Sequence, residues 1–179
     1  MAKKMKGLAL FSILLTVFCV IIYIHMHIRL FFILAITFGT TSYHLIMRLF
    51  VGFLLNLLLH NHVNYRKKWF QASALEQKLY GILRVKKWKT KMPTYDPECF
   101  DSKIHSWDEI VQAMCQAELV HEVIIIFSFA PVFAAIFWGA LWVFVTTSVL
   151  SACFDAMFVI IQRFNRPRVI KLIEKQIHF

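Results

Sequence analysis

Ala117-Glu118-Leu119-Val120-His121-Glu122 stands at the mouth of an apolar run that extends from Val123 to Val145. On a helix, positions i, i+3 and i+4 share a face. Glu118, His121 and Glu122 therefore form one polar patch where the chain enters a hydrophobic phase. Ionisable groups at such a depth are costly, and they mark functional sites by default. The bland reading is a polar cluster that solvates a helix end.

Three more apolar runs accompany this one, about 7–28, 30–59 and 140–161, with the Glu118 run taken as 118–137. Of the 179 residues 59% are hydrophobic and 18 are Phe, against only 5 Gly and 4 Pro. Runs near 20 residues in such a chain read as membrane spans. The predicted fold is all-α: a polytopic membrane protein of four transmembrane helices, organised as a single domain over 1–179. Lys3, Lys4 and Lys6 before an apolar run resemble a signal peptide. The run is too long for one, and no small-residue cleavage site follows, so it reads as a retained span.

The second run would make a helix of roughly 45 Å, longer than a typical bilayer core. It must tilt, break or project, and Gly39-Thr40-Thr41-Ser42 is the candidate break. Thr40, His44, Arg48, Gly52, Asn56 and His60 recur every four residues along it. A polar stripe of this kind faces a bundle interior or a water-filled cavity. Arg48 needs an acid there, with Asp155, Glu118 and Glu122 as candidates. A buried ion pair that fixes packing competes with a substrate-binding role for His44 and Arg48.

The segment 60–117 is polar and basic. Leu75, Leu79, Tyr80, Ile82 and Leu83 recur at helical spacing between the clusters Tyr65-Arg66-Lys67-Lys68-Trp69 and Val85-Lys86-Lys87-Trp88-Lys89. This predicts an interfacial amphipathic helix on the membrane surface, anchored by Trp and Lys. Pro93 and Pro97 end it, and Asp96 to Ser102 reads as a loop. Ser106-Trp107-Asp108-Glu109 is a capping box that starts the next helix. Pro131 should kink or end that helix, and a tight turn is expected near Trp138-Gly139. Pro167 should mark where the last span leaves lipid, followed by a short amphipathic tail from Val169 to Phe179.

The formal net charge is +10. Its placement beside apolar spans points to anionic lipid or a phosphorylated substrate, and away from nucleic acid. Lys and Arg number 3 before the first span, 10 between His60 and Glu118, and 5 after Ile161. The positive-inside rule then predicts a multi-pass cell-membrane protein with both termini and the central segment cytoplasmic. Cys19, Cys99, Cys115 and Cys153 lie far apart with no C-x-x-C pair, so neither a zinc ribbon nor a disulfide framework is indicated. His25 and His27, at i and i+2, do not share a helix face.

A histidine beside carboxylates and arginines suits activation of a hydroxyl. His121 is the candidate general base, and Glu118 would orient its imidazole. Arg166 and Arg168 could hold phosphates or an oxyanion, with Asn165 as a further donor and Arg48, His44 and Glu122 as other substrate contacts. Two alternatives stand beside this. One is a metal-dependent membrane enzyme using His44, Glu118 and His121, although no second Glu-x-x-His exists to complete a di-iron site. The other is a non-enzymatic lipid-binding or partner-stabilising subunit. Acyl transfer itself calls for no resident metal or cofactor.

Val85-Lys86-Lys87-Trp88-Lys89, Ala117-Glu118-Leu119-Val120-His121 and Ile161-Gln162-Arg163-Phe164-Asn165-Arg166-Pro167-Arg168, in this order and at these distances, resemble the glycosyl-4,4'-diaponeurosporenoate acyltransferase family. The resemblance covers Tyr80 to Leu172 and favours Glu118 over Glu122 as the partner of His121. It implies transfer of a fatty acyl chain onto a hydroxyl of a lipid-linked, glycosylated acceptor at the cytoplasmic face. The implied partners are membrane lipid, that acceptor, and a donor such as an acyl-CoA or an acyl carrier thioester; a homo-oligomer is left open.

Overall fold

The computed structural model describes residues 2–93 and 97–177. Helix is the dominant structure, and no strand occurs among the described residues. Seven helices follow in order: α1 Ala2–Met26, α2 Arg29–Leu59, α3 Ala74–Ile82, α4 Val85–Trp88, α5 Trp107–Phe127, α6 Ala135–Trp138 and α7 Leu141–Ile177. Short 3-10 turns cover Lys68–Phe70, Lys89–Lys91, Glu98–Phe100 and Ala130–Ala134. Four stretches are long and apolar enough to cross a membrane: Lys3–Met26, Arg29–Leu59, Trp107–Trp138 and Leu141–Gln176. The protein is a polytopic helical membrane protein.

Several boundaries differ from the sequence expectation. α2 does not break at Gly39. The hydroxyls of Thr37, Thr40, Thr41 and Ser42 donate to carbonyls one turn back, at 2.8–2.9 Å, which hides their polarity inside the helix. α7 runs through Pro167 instead of ending there, so no separate tail forms. A proline removes one ladder hydrogen bond; here the ion pairs of Arg163 and Arg166 in the turn before it anchor the helix. The third long stretch starts at Trp107, where Ser106 Oγ accepts from the Glu109 N–H and Glu109 Oε2 accepts from the Ser106 N–H. It stops as a regular helix at Phe127, ahead of Pro131, and the chain reverses at Gly139 (φ 66°) and Ala140 (φ 51°). The expected loop at Asp96 and the tail residue Phe179 lie outside the described residues.

The described chain divides into two compact units, Met1–Gly52 with Val123–Asp155 and Phe53–Glu122 with Ala156–Phe179. In the first, α1 presents Ala9, Ser12 and Cys19 as its buried line, all small. Thr16 on that line comes within 3.6 Å of where a Cβ on Gly39 would lie. Small residues let membrane helices approach closely. The other faces of α1, from Leu8 to Ile24, are exposed and suit lipid.

The first unit also buries one ion pair. Arg48 Nε and Nη2 donate to Asp155 Oδ2 at 3.1 and 2.5 Å. Nη2 also donates to Ser151 Oγ at 2.8 Å, and Ser151 Oγ lies 2.9 Å from Ser128 Oγ. Of the three acids considered for Arg48, Asp155 is the one it meets. Asp155 is fully buried, and removing the guanidinium would take a counter-charge at 2.5 Å from a carboxylate in a low-dielectric interior.

In the second unit, α2 ends in two left-handed residues, His60 (φ 48°) and Asn61 (φ 59°). Gln116 of α5 fixes this turn. Its Oε1 accepts from the Asn61 N–H at 2.7 Å, and its Nε2 donates to Asn56 Oδ1 at 3.1 Å. Below it Val63, Phe70 and Cys115 pack with Leu59, Tyr65 and Leu119. α3 is capped by Ser73 and Glu76 in a complete capping box. It buries Tyr80 and leaves Leu75, Leu79 and Ile82 exposed.

Arg48→Met alone should lower unfolding stability by about 3–5 kcal/mol, the scale of breaking a buried pair from one side. The double variant Arg48→Met/Asp155→Leu should recover most of that loss, because no charge is then left unpaired. Sodium dodecyl sulfate titration followed by circular dichroism measures both. Additive losses would mean that the two groups are not coupled.

Candidate active site

Glu118, on α5, has no solvent exposure. Two arginines of α7 divide its carboxylate between them. Arg163 Nη1 donates to Oε1 at 2.6 Å, and Arg166 Nη2 donates to Oε2 in a close ion pair. Arg163 and Arg166, three residues apart, share a helix face, which is why both reach one acid.

Each guanidinium then reaches the chain ahead of α3. Arg163 Nη1 donates to the Trp69 carbonyl at 2.8 Å, and Nη2 donates to the two Glu76 oxygens at 2.8 and 3.1 Å. Arg166 Nη1 donates to the Phe70 carbonyl at 2.6 Å, and its Cζ lies 5.2 Å from the Phe70 ring centroid. Two carboxylates thus face two guanidiniums. Charge-assisted bonds of this kind are about twice as strong as neutral ones, and a neutral set is what burial tolerates.

The patch expected on one face of α5 resolves into three environments. Glu118 is held by the arginines. Glu122 Oε2 accepts from Trp69 Nε1 at 3.0 Å. The His121 ring stacks on Phe158 of α7, with centroids 4.6 Å apart and an 8° interplanar angle. Both oxygens of Glu118 serve guanidiniums, and these pairs fix α5 against α7.

Arg166 and Arg168 also separate. Arg166 is 1% exposed and belongs to the Glu118 centre. Arg168 faces a cleft of roughly 250 Å³ between α3 and α7, lined by Gln77 and Tyr80 on one side and Arg163, Phe164, Pro167, Arg168 and Lys171 on the other. Arg168 Cζ lies 4.5 Å from the Phe164 ring centroid, and Lys89 Nζ lies 5.0 Å from the same centroid. Asn165 Oδ1 accepts from Lys89 Nζ at 2.5 Å. Burial first, then the charges of Arg168 and Lys86, pull the Lys89 ammonium below the usual lysine value. Burial first, then the Glu76 charge, hold the Tyr80 phenol above the usual tyrosine value, and Arg163 offsets part of that. Tyr80 is thus a neutral hydroxyl at physiological pH.

His44 lies in the first unit, buried, with neither ring nitrogen hydrogen-bonded; Arg48 there holds Asp155 and donates to the His44 carbonyl at 3.3 Å. Among the described residues no three His, Cys, Asp or Glu side chains form a group able to hold a metal. The metal alternative built on His44, Glu118 and His121 therefore lacks a ligand cluster, and the oxygens of Glu118 are already engaged by cations.

Sequence reasoning missed Arg163, Glu76, Lys89 and Lys171. Signals for them were present. Arg163 sits three residues before Arg166, Ser73-Ala74-Leu75-Glu76 reads as a capping box, and Phe164, Pro167, Arg168 and Lys171 follow i, i+3, i+4, i+7.

Fold and site together define a polytopic helical membrane protein with a buried carboxylate–diguanidinium centre beside a basic cleft. The family model described as glycosyl-4,4'-diaponeurosporenoate acyltransferase matches residues 66–175, and the chain belongs to that family. No curated protein and no solved structure matches the chain.

Glu118→Gln keeps the side-chain shape but leaves two buried guanidiniums short of a counter-charge. It should cost about 3–5 kcal/mol of stability. Glu122→Gln, which alters one bond to the exposed Trp69, should stay within about 1 kcal/mol of wild type. Thermal unfolding in detergent compares them, and equal losses would remove Glu118 from its place as the centre of the cluster.

Proposed function

We propose that the protein moves a fatty acyl chain onto a hydroxyl of a glycosylated, lipid-linked acceptor at the cytoplasmic face of the cell membrane. The observation that carries this reading is the extent of the family match. Residues 66–175 contain the whole Glu118–Arg163–Arg166–Glu76 centre, His121 and the basic cleft.

In the reaction, the acceptor hydroxyl attacks the carbonyl of an acyl thioester. Its proton passes to the His121 imidazole, which acts as general base. The new C–O bond forms as the C–S bond breaks, and His121 returns the proton to the departing thiolate. An ester and a free thiol result. Glu118 acts as a positioning residue: its two ion pairs fix α5 to α7, and the stack on Phe158 sets the plane of the imidazole one turn further on. Arg168 and Lys171 face the donor. α3, with Leu75, Leu79 and Ile82 exposed, lies on the membrane surface and brings the cleft to the level where a lipid hydroxyl and a water-soluble donor meet. Lys3, Lys4 and Lys6 in the first turns of α1 and the basic second half of α7 support cytoplasmic termini through the positive-inside rule.

One observation favours a non-catalytic, partner-stabilising reading. The most deeply buried charges are paired with one another, as in a packing device. Purified protein in nanodiscs, given acyl thioester and a glycosylated lipid alcohol, separates the two by mass spectrometry of the lipid product. His121→Gln should lower turnover by roughly 100-fold or more, the scale of general-base catalysis, with unchanged thermal stability. Undiminished ester formation by that variant would refute the proposed base.

A further inference from the structure

The cleft between α3 and α7 contains cations that the fold itself does not neutralise. Arg168 and Lys171 line it, Lys89 lies beside it over the Phe164 ring, and none of the three has a carboxylate in ion-pair range among the described residues. Arg168 and Lys89 crowd the same Phe164 ring, and burial first, then the Arg168 charge, lowers the affinity of Lys89 for its proton. Arg163 extends into the cleft as well, and its buried Nε has no hydrogen-bond partner. Neutral donors complete the lining, the Tyr80 hydroxyl and the Gln77 amide. A site with converging cations, neutral donors and no acid of its own is built for a multiply charged anion.

We infer that this cleft binds the pyrophosphate of a coenzyme A thioester, the doubly charged part of that acyl donor. The inference rests on the acyl-transfer reading and deepens it. Three features favour phosphate over a carboxylate. The cations outnumber a single negative charge. Pro167 presents a flat apolar wall beside Phe164, fit for the alkyl portion next to a phosphate. The volume falls below the ~300–1,000 Å³ of sites that enclose a whole drug-sized ligand, so the cleft takes the pyrophosphate and its immediate substituent while the rest of the donor stays outside. A lipid headgroup offers the same phosphate chemistry. The donor is preferred because Arg163 lines the cleft and also holds Glu118. The anion site and the centre that positions His121 share a side chain, so an occupant there is coupled to the reaction.

The test uses full-length protein in zwitterionic phosphatidylcholine nanodiscs, with coenzyme A as probe and pantetheine, which lacks phosphate, as comparison. Calorimetric titration should show saturable coenzyme A binding and none by pantetheine. Arg168→Gln, Lys171→Gln and Lys89→Gln should each weaken it by roughly tenfold or more, the scale of one lost charge-assisted bond. Lys103→Gln, on an exposed turn, should leave it unchanged. His121→Gln should bind coenzyme A as wild type does while losing transfer, which separates failure of the site from failure of the proposed reaction. Coenzyme A binding that ignores all three cleft variants would overturn the inference. So would retention of phosphatidylglycerol by the cleft, lost in the variants and not displaced by coenzyme A, since the occupant would then be a lipid headgroup.

Discussion

A carboxylate without solvent contact is tolerable only if its charge is met at close range, and the second unit is arranged to meet that of Glu118. An isolated buried carboxylate would take up a proton or unfold its surroundings. Two guanidiniums prevent this, and each needs further acceptors because a guanidinium has five N–H donors. Those acceptors come from Glu76 and from the Trp69, Phe70 and Gln71 carbonyls. One charge thus recruits α5, α7, the turn at Lys68–Phe70 and the start of α3. His121 and the basic cleft inherit their positions from that arrangement.

The first unit solves the same problem on a smaller scale. Arg48 and Asp155 neutralise each other, and the leftover donor reaches Ser151 and through it Ser128. The serines also bond within their own helices where they can, as Ser128 does to the Ile124 carbonyl. In both units the ions are paired first and the residual valences are passed to small polar groups. That is the order a low-dielectric interior imposes.

What was legible in the chain depended on range. The four spans could be read because a hydrophobic run declares itself without knowledge of any partner. The capping box at Ser106, the reversal at Gly139 and the end of regular helix before Pro131 were legible for the same reason: each is decided within a few residues. Arg48 could be assigned a short list of acids, and Asp155 was on it. Glu118 and Arg166 were both singled out, but as base-orienting acid and anion clamp, not as each other's counter-ion. They lie 48 positions apart, and no local rule links them. Arg163 escaped notice because its acids, Glu118 and Glu76, lie 45 and 87 positions away, beyond any local rule. The long-range pairs that hold α7 straight were the information missing.

The double use of Glu76 bears on how the protein assembles. The same carboxylate closes the cap of α3 and receives Arg163. A nine-residue helix is too short to persist alone in water. α3 therefore gains its order only once α7 has arrived to supply that arginine. Chain order and contact order diverge here: a segment translated early is completed by an arginine translated late, and the basic cleft between them needs both.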